Sequence, residues 1–493
     1  MQVQRNESKF FKSALAAGKR ILEEFNDAVI VHHFDADGLP AGAIVFSAMY
    51  RNGIAPAMLC WKKMTVENVE QLAAKRREKQ IIFCDLGAGY TSVFEEHLKD
   101  KEIIILDHHR EEKLDVAKNI TLVTPHQHGI DGDMEVAAGG VCYLAFRNYV
   151  DLSQLALVSA VGDMQDKIGM QGVNKIILSD AVKAGIATVK KDLMLFGKGS
   201  RSLTNFLCYS SDPFLPGLTG NAKNCALFLH ENNIPYKQGN KYVSYYDLDL
   251  DNQKKLASAL IEYCVEKLPS ESTANLIGDV FVFPKEEKGP FYEAHEFATI
   301  LNACGRNNAA ETGVKACLKD SEARNKTIAL YEEHRLNLRR GITLSRGKIS
   351  DVGEFYLLDC RGQIKDNIIG TVAGALSGSP EIVHGKPVIA LANDDEDKQM
   401  AKVSARCTAA LVAQGIDLGE LLGTATADLG KSFGGGHKIA AGASVEKKHL
   451  PEFLKRCAEI IKSAQSNSFV SESQSARLCS RQNKANKEKA EEK

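Results

Sequence analysis

Tryptophan occurs once in the 493 residues, at Trp61, and the chain has no long apolar run. A membrane-crossing helix needs roughly 18 consecutive apolar residues, so helical membrane spans are excluded. The first eight residues (Met-Gln-Val-Gln-Arg-Asn-Glu-Ser) contain no apolar signal-peptide core, and a cytoplasmic location is expected. Paired cysteines are missing as well. The twelve cysteines are scattered without a C-x-x-C pair, which points away from a zinc site and a disulfide framework. Several, such as Cys84 and Cys142, sit inside apolar runs as small hydrophobes. Charge of one sign is not in excess: the formal net charge is -1. Any polyanion binding therefore needs a local basic surface. No serine or cysteine sits in a catalytic-triad pattern. What remains is ordinary: 44% hydrophobic and 25% charged residues, the balance of a globular protein, long enough for roughly two to four domains.

From residue 10 to about 190, strand-like and helical patterns alternate. Apolar, β-branched runs at 28–33, 54–61, 80–84 and 102–106 are separated by helical periodicity at 39–50, 65–78 and 91–99. This rhythm predicts an α/β fold with a doubly wound parallel sheet. Two helices, at about 139–149 and 152–162, follow it. The stretch 196–340 is less regular, with a Pro/Gly-rich loop at 212–220, helical patterns around 251–268 and 293–304, and a basic amphipathic pattern from 320 to 340 read as a solvated helix face. A second, smaller α/β unit is expected over 341–465, with strands near 355–358 and 388–391. Beyond residue 463 the chain turns polar, and that tail is expected to be disordered.

The chemistry concentrates where apolar runs end. Residues 28–38 read Ala-Val-Ile-Val-His-His-Phe-Asp-Ala-Asp-Gly, which places His33, Asp35 and Asp37 at the carboxyl end of a strand, where open α/β sheets bind ligands. Alternation along an extended strand puts these three on one face, with His32 on the other. The bland alternative is a turn in which Asp35 caps the next helix. Three further runs end alike: Ile-Ile-Phe-Cys before Asp85, Ile-Ile-Ile-Leu before Asp107-His108-His109, and Ala-Val-Gly before Asp163. A parallel sheet gathers such ends at one edge. Carboxylates crowded there repel and raise one another's pKa, and divalent cations offset that. Oxygen and imidazole donors without thiolate fit Mn²⁺ or Mg²⁺. Asp166 is read as a helix cap or a partner of a ligand. Near the C-terminus, Gly434, Gly435 and Gly436 followed by His437 form a glycine-rich turn able to approach an anion, more so if a helix starts there. Arg406, in Ser404-Ala-Arg406, can grip phosphate bidentately.

The four acidic elements together with Gly-Gly-Gly-His resemble the motif set of the DHH phosphoesterase superfamily, in the family's order from about 28 to 443. The stretches 209–220 and 296–306 are similar to archaeal RecJ-like proteins. The resemblance implies a DHH catalytic domain over 1–195, an intermediate insert and connecting helix over 196–340, a DHH-associated substrate-binding domain over 341–465 across a cleft, and a tail over 466–493. It implies a two-metal phosphodiesterase, with His33, Asp35, Asp37, Asp85, His108 and Asp163 as ligands of two Mn²⁺ or Mg²⁺ ions and Asp85 bridging them. It further implies that His109 faces the phosphate, that Asp107 orients a histidine, and that Arg406, Gly434, Gly435, Gly436 and His437 hold substrate. Single-stranded DNA or RNA is the implied partner, with replication proteins such as GINS, and no membrane. Two alternatives stay open: a phosphodiesterase for oligonucleotides or cyclic dinucleotides, and a binding scaffold in replication.

Overall fold

The structure, a computed structural model, describes residues 2–464 except 211, 212, 214, 268–272, 274, 275, 378–384 and 396. The chain divides into two compact units, Met1–Tyr331 and Glu332–Lys493. The polar tail at 466–493 lies outside the described residues.

The first unit begins with α1 (Gln2–Glu24), β1 (Ala28–His33), α2 (Gly38–Arg51), β2 (Ala57–Trp61), α3 (Val66–Lys75), β3 (Gln80–Cys84), α4 (Thr91–His97), β4 (Glu102–Leu106), β5 (Ile120–Val123), α5 (Ala138–Phe146), α6 (Ser153–Gly162) and α7 (Gly172–Lys183). The five strands form one parallel sheet in the order β2-β1-β3-β4-β5. Val29, Val31, Ile81, Phe83, Ile103 and Ile105 face a core shared with α3 and α4. Ile30, Ile82, Ile104 and Leu106 face the opposite core, with α1, α2, α5 and α6. Burial on both faces is why these strands read as continuous apolar runs. Strand β2 starts only at Ala57 because Pro56 precedes it: proline lacks the donor a ladder needs and restricts the residue before it. The four-residue β5 carried too short an apolar run to stand out. In this strand order the topological switch falls between β1 and β3, where ligands bind beyond the strands' carboxyl ends.

The irregular middle is a small subdomain with its own core. Antiparallel strands β6 (Thr188–Leu193) and β9 (Ile277–Val282) flank α8 (Leu203–Cys208), α9 (Ala222–Glu231), the short pair β7 (Lys237–Gln238) and β8 (Lys241–Tyr242), and α10 (Leu250–Val265). Phe206, Leu229, Tyr245, Leu256 and Leu260 fill its interior. Side-chain caps begin the helices: Ser202, Asn221 and Asp249 each accept the amide three residues on, as orphan first-turn donors require. Helices α11 (Ala294–Arg306), α12 (Ala310–Cys317) and α13 (Ser321–Arg346) follow. The expected solvated face of α13 needs one correction. Arg324 bonds Glu286 at 2.7 Å, and Glu286 also accepts from Gln154 of α6, so this charge anchors the start of the helix to the core of the first unit.

The second unit carries β10 (Ile349–Asp351), β11 (Tyr356–Asp359), α14 (Asp366–Ser377), β12 (Val388–Asn393), β13 (Met400–Arg406), α15 (Ala409–Ala413), α16 (Leu418–Thr426), β14 (Phe433–Gly436) and β15 (Ala440–Glu446). Its sheet runs β10-β11-β12-β13-β15-β14, and only β11 and β12 pair in parallel. Among the described residues no helix is long and apolar enough to cross a membrane.

Candidate metal centre

Strand β1 ends at His33, and the backbone then turns, so the expected alternation stops one residue before it was needed. Asp37 is the helical N-cap of α2 (φ -95°, ψ -53°). His33, Asp35 and Asp37 consequently do not share a face; they separate into two groups. Asp35 Oδ2 lies 3.0 Å from His33 Nδ1, while its Oδ1 accepts the amides of Asp37 and Gly38 at 3.2 and 3.0 Å. The capping role and the site role fall on different oxygens of one carboxylate. A side chain at position 38 would collide with His33, which explains a glycine at this turn. Asp37 points the other way. The first amides of α5 hold it, Ala138 N on Oδ2 and Gly139 N on Oδ1, both at 2.9 Å, a charge-assisted grip at a helix N-terminus. Ser159 donates to it as well. His32, opposite, is buried, and burial lowers its pKa to about 4.

Asp85 follows β3 in a left-handed conformation (φ 63°). For a residue other than glycine this costs about 1–3 kcal/mol and persists where the surroundings impose it. The twist aims its two oxygens apart: Oδ2 lies 3.4 Å from His33 Nδ1, and Oδ1 lies 3.4 Å from His108 Nε2. His108 donates Nδ1–H to Gly132 O at 2.8 Å, because a carbonyl can only accept. Its Nε2 is thereby left facing Asp85 and Asp37, the latter at 3.6 Å. Asp163, at the C-cap of α6, has Oδ2 3.7 Å from His108 Nδ1. Two triads result, His33/Asp35/Asp85 and Asp37/His108/Asp163, each with donor atoms within 4.8 Å of one another. Asp85 also belongs to a third group with Asp107, His108 and His109.

Electrostatics show what such packing does. Burial pushes the Asp85 carboxyl up to about 6, reinforced by the charges of Asp37 and Asp35. Asp37 rises to about 6 for the same first reason, against the pull of His108. Burial also raises Asp163. Burial opposes charge on His33, but Asp35 and Asp85 outweigh it and lift the imidazole to about 11. His108 is likewise held well above the ordinary range, burial being overcome by Asp85, Asp37 and Asp163. Donor sets of this kind exchange protons for metal. The residues fit a divalent cation on one further count. Asp85 Oδ2 is buried without a hydrogen-bond donor, which is costly for a carboxylate oxygen unless a cation meets it.

His109 is half-exposed and held by Asp107, whose Oδ1 accepts His109 Nδ1 at 2.8 Å while Oδ2 accepts Ala88 N at 3.0 Å. That hydrogen bond raises His109 to about 9. Asp107, although buried, stays below the usual carboxylate range.

In the second unit, Arg406 ends β13 and donates to Ala405 O at 2.8 Å. It lies along α14 where that helix is glycine: a side chain at Gly370 would come within 2.8 Å of Arg406 Nη2. Gly434, Gly435 and Gly436 do not start a helix. They form edge strand β14 against β15, and His437 closes a tight hairpin, with His437 N donating to Ala440 O at 2.9 Å. Close approach decides this. A side chain on Gly434 would meet Leu422 O of α16 at 2.7 Å, and Gly436 has φ 142°.

Helix α11 contains the stretch 296–306 that carried part of the resemblance, but no residue of it was assigned to the site. Asn302 Oδ1 accepts Ala36 N at 2.9 Å, inside the turn between Asp35 and Asp37. Arg306, partly buried, interacts with the Asp35 charge. His295 Nε2 lies 2.6 Å from Asp166 Oδ2, so Asp166 is a partner across the helix interface and not a cap. The signal was the polar residues His295, Asn302 and Arg306 in a helix otherwise apolar but for Glu296 and Thr299.

The sequence matches the DHH family N-terminal domain over residues 27–162, the DHH-CID domain over 195–277 and the DHHA1 domain over 355–463. Uncharacterized protein MJ0831 of Methanocaldococcus jannaschii is 30% identical over 460 residues, covering 91% of this chain and 96% of that protein. Among solved structures, CDC45 from Entamoeba histolytica superposes with TM-score 0.61 at 14% identity, over 92% of this chain and 98% of that one. RecJ from Thermus thermophilus in complex with Mn²⁺ gives 0.55 at 17% identity, over 92% of this chain. The chain spans about half (55%) of that RecJ's length. With three domains of the family in sequence, the chain belongs to the DHH phosphoesterase superfamily, and it shares its fold with RecJ.

Proposed function

We propose that this protein is a two-metal phosphodiesterase that hydrolyses single-stranded nucleic acid from an end. The observation that carries the proposal is Asp85: its two oxygens face two separate His/Asp triads, and one of them has no donor. His33, Asp35 and Asp85 would hold one ion; Asp37, His108 and Asp163, sharing Asp85, the other. When bound, two such divalent ions supply a water of lowered pKa and neutralise phosphate oxygens during in-line attack. The chain's own groups supply the rest. His109, charged and fixed through Nδ1 by Asp107, presents Nε2–H to a non-bridging phosphate oxygen. Asn302 keeps the turn carrying Asp35 and Asp37 in place, and Arg306 brings a guanidinium to the same edge for the substrate backbone. In the second unit, Arg406, the glycine hairpin and His437 hold further phosphates.

The test is end-labelled single-stranded DNA and RNA incubated with Mn²⁺ or Mg²⁺, with products resolved by length. Mononucleotides released progressively from long strands support the reading. Cleavage restricted to dinucleotides or cyclic dinucleotides would replace polymer with a small substrate. Purified protein that takes up neither metal would leave a binding scaffold.

A further inference from the structure

Gln165 is fully buried two residues beyond Asp163, and the proposed reaction gives it no part. Its Nε2 donates both hydrogens to oxygens: Asp163 Oδ2 at 2.7 Å and Gly132 O at 2.8 Å. With two acceptors on that side, the amide has one possible orientation. Its Oε1 then takes a hydrogen from Asn174 Nδ2 at 2.6 Å, and Asn174 on α7 is itself buried. Gly132 O is the same carbonyl that accepts His108 Nδ1–H at 2.8 Å. One buried amide therefore ties Asp163, from the end of α6, to His108, from beyond β4, through a single shared carbonyl. Gly132 can serve because it has no side chain: a Cβ there would overlap the His108 carbonyl and approach His126 Nε2 to 2.8 Å. Among the described residues no side-chain amide bonds a carboxylate of the other triad in this way. There His33 and Asp35 face each other and Asp85, Asp35 is braced by local backbone amides, and Arg306 interacts with its charge.

We infer that Gln165, backed by Asn174, is a positioning residue that sets the affinity of the Asp37/His108/Asp163 half of the centre without touching metal or substrate. The inference rests on the two-metal reading. Groups that orient metal ligands change metal affinity about 10–100-fold when removed. That loss should fall on one ion and spare the other, because only one triad contains Asp163.

Mn²⁺ titration by calorimetry, together with electron paramagnetic resonance of the loaded protein, tests it on wild type, Gln165→Leu and Asn174→Ala. Leucine keeps the volume and deletes both donors; alanine at 174 leaves Gln165 present but unbraced. Wild type should bind two ions and give the signal of a spin-coupled pair. Gln165→Leu should bind one ion with affinity near wild type and the second about 10–100-fold more weakly, giving an uncoupled Mn²⁺ signal at equal loading, with activity recovering at high Mn²⁺. Asn174→Ala should shift the same step by less. Retention of both ions at wild-type affinity with the coupled signal overturns the inference. So does equal weakening of both ions, or a metal-free melting transition lost in both variants, since either means a general structural role. Wild type that binds no Mn²⁺ overturns the two-metal reading itself, and this inference with it.

Discussion

Gly305→Ala sets local propensity against tertiary geometry. Gly305 lies in the last turn of α11, and alanine there would improve intrinsic helix stability by about 1 kcal/mol. The surroundings point the other way. A Cβ at this position would fall inside the Phe34 carbonyl oxygen and 2.9 Å from the Phe34 carbonyl carbon, where carbon atoms in contact need about 3.5 Å. Both obstructing atoms are backbone, so no side-chain rotation relieves them. Helix α11 and the 34–37 turn must separate, by about 1 Å once the oxygen is cleared as well. That turn carries Asp35 and Asp37, and α11 carries Asn302, whose bond to Ala36 N is 2.9 Å. A displacement of about 1 Å in a catalytic arrangement costs on the order of 100-fold in rate. Gly305→Ala should therefore lose about two orders of magnitude in turnover of single-stranded DNA and bind Mn²⁺ more weakly, with its helical circular dichroism unchanged. Wild-type turnover and metal affinity in this variant would refute the claim that α11 seats the turn carrying Asp35 and Asp37.

Three other outcomes are expected. Asp85→Ala should abolish hydrolysis and reduce metal content, since one side chain serves both triads; a loss of only a few-fold would mean that no residue is shared. Arg406→Ala and His437→Ala should leave metal content unchanged, weaken binding of single-stranded nucleic acid, and, for Arg406→Ala, lower the salt dependence of binding by one phosphate contact; loss of metal in either would contradict it. Burial, aided by the Glu293 charge, raises Glu296 to about 7 from its ordinary 4.5, so between those pH values the folded state holds a proton that the unfolded state has released. Stability contributed there is full below about 4.5 and declines as pH rises towards 7, by roughly 3 kcal/mol at most. Relative to wild type, Glu296→Gln should gain melting temperature between pH 5 and pH 8, and an unchanged difference across that range would disprove the shift.

Much of the first unit was written locally. Runs such as Val29–Val31 and Ile103–Ile105 can only be buried strands, and strands joined by helices pair in parallel with their carboxyl ends together. His33, Asp85, His108 and Asp163 therefore had to approach one another, and the structure brings each within 3.4 to 3.7 Å of the next. What the sequence could not carry was direction beyond each strand. Asp37 turns away from Asp35 because the amides of α5, about a hundred residues later, offer it a better partner than solvent. Asp85 reaches both triads only through a left-handed backbone that no propensity favours. Gly434, Gly435 and Gly436 read as a turn, since glycine is permissive everywhere; their place as an edge strand is decided by α16, which comes close enough to exclude a side chain at Gly434. The contacts made by Gln165, Asn302 and Gly305 could not be read from the sequence, for one physical reason. Each of these three is an ordinary residue in its own helix or turn, and each acquires its meaning from a distant backbone group, Gly132 O, Ala36 N or Phe34 O, that only the folded chain brings near, while Asn174 acts through the Gln165 side chain.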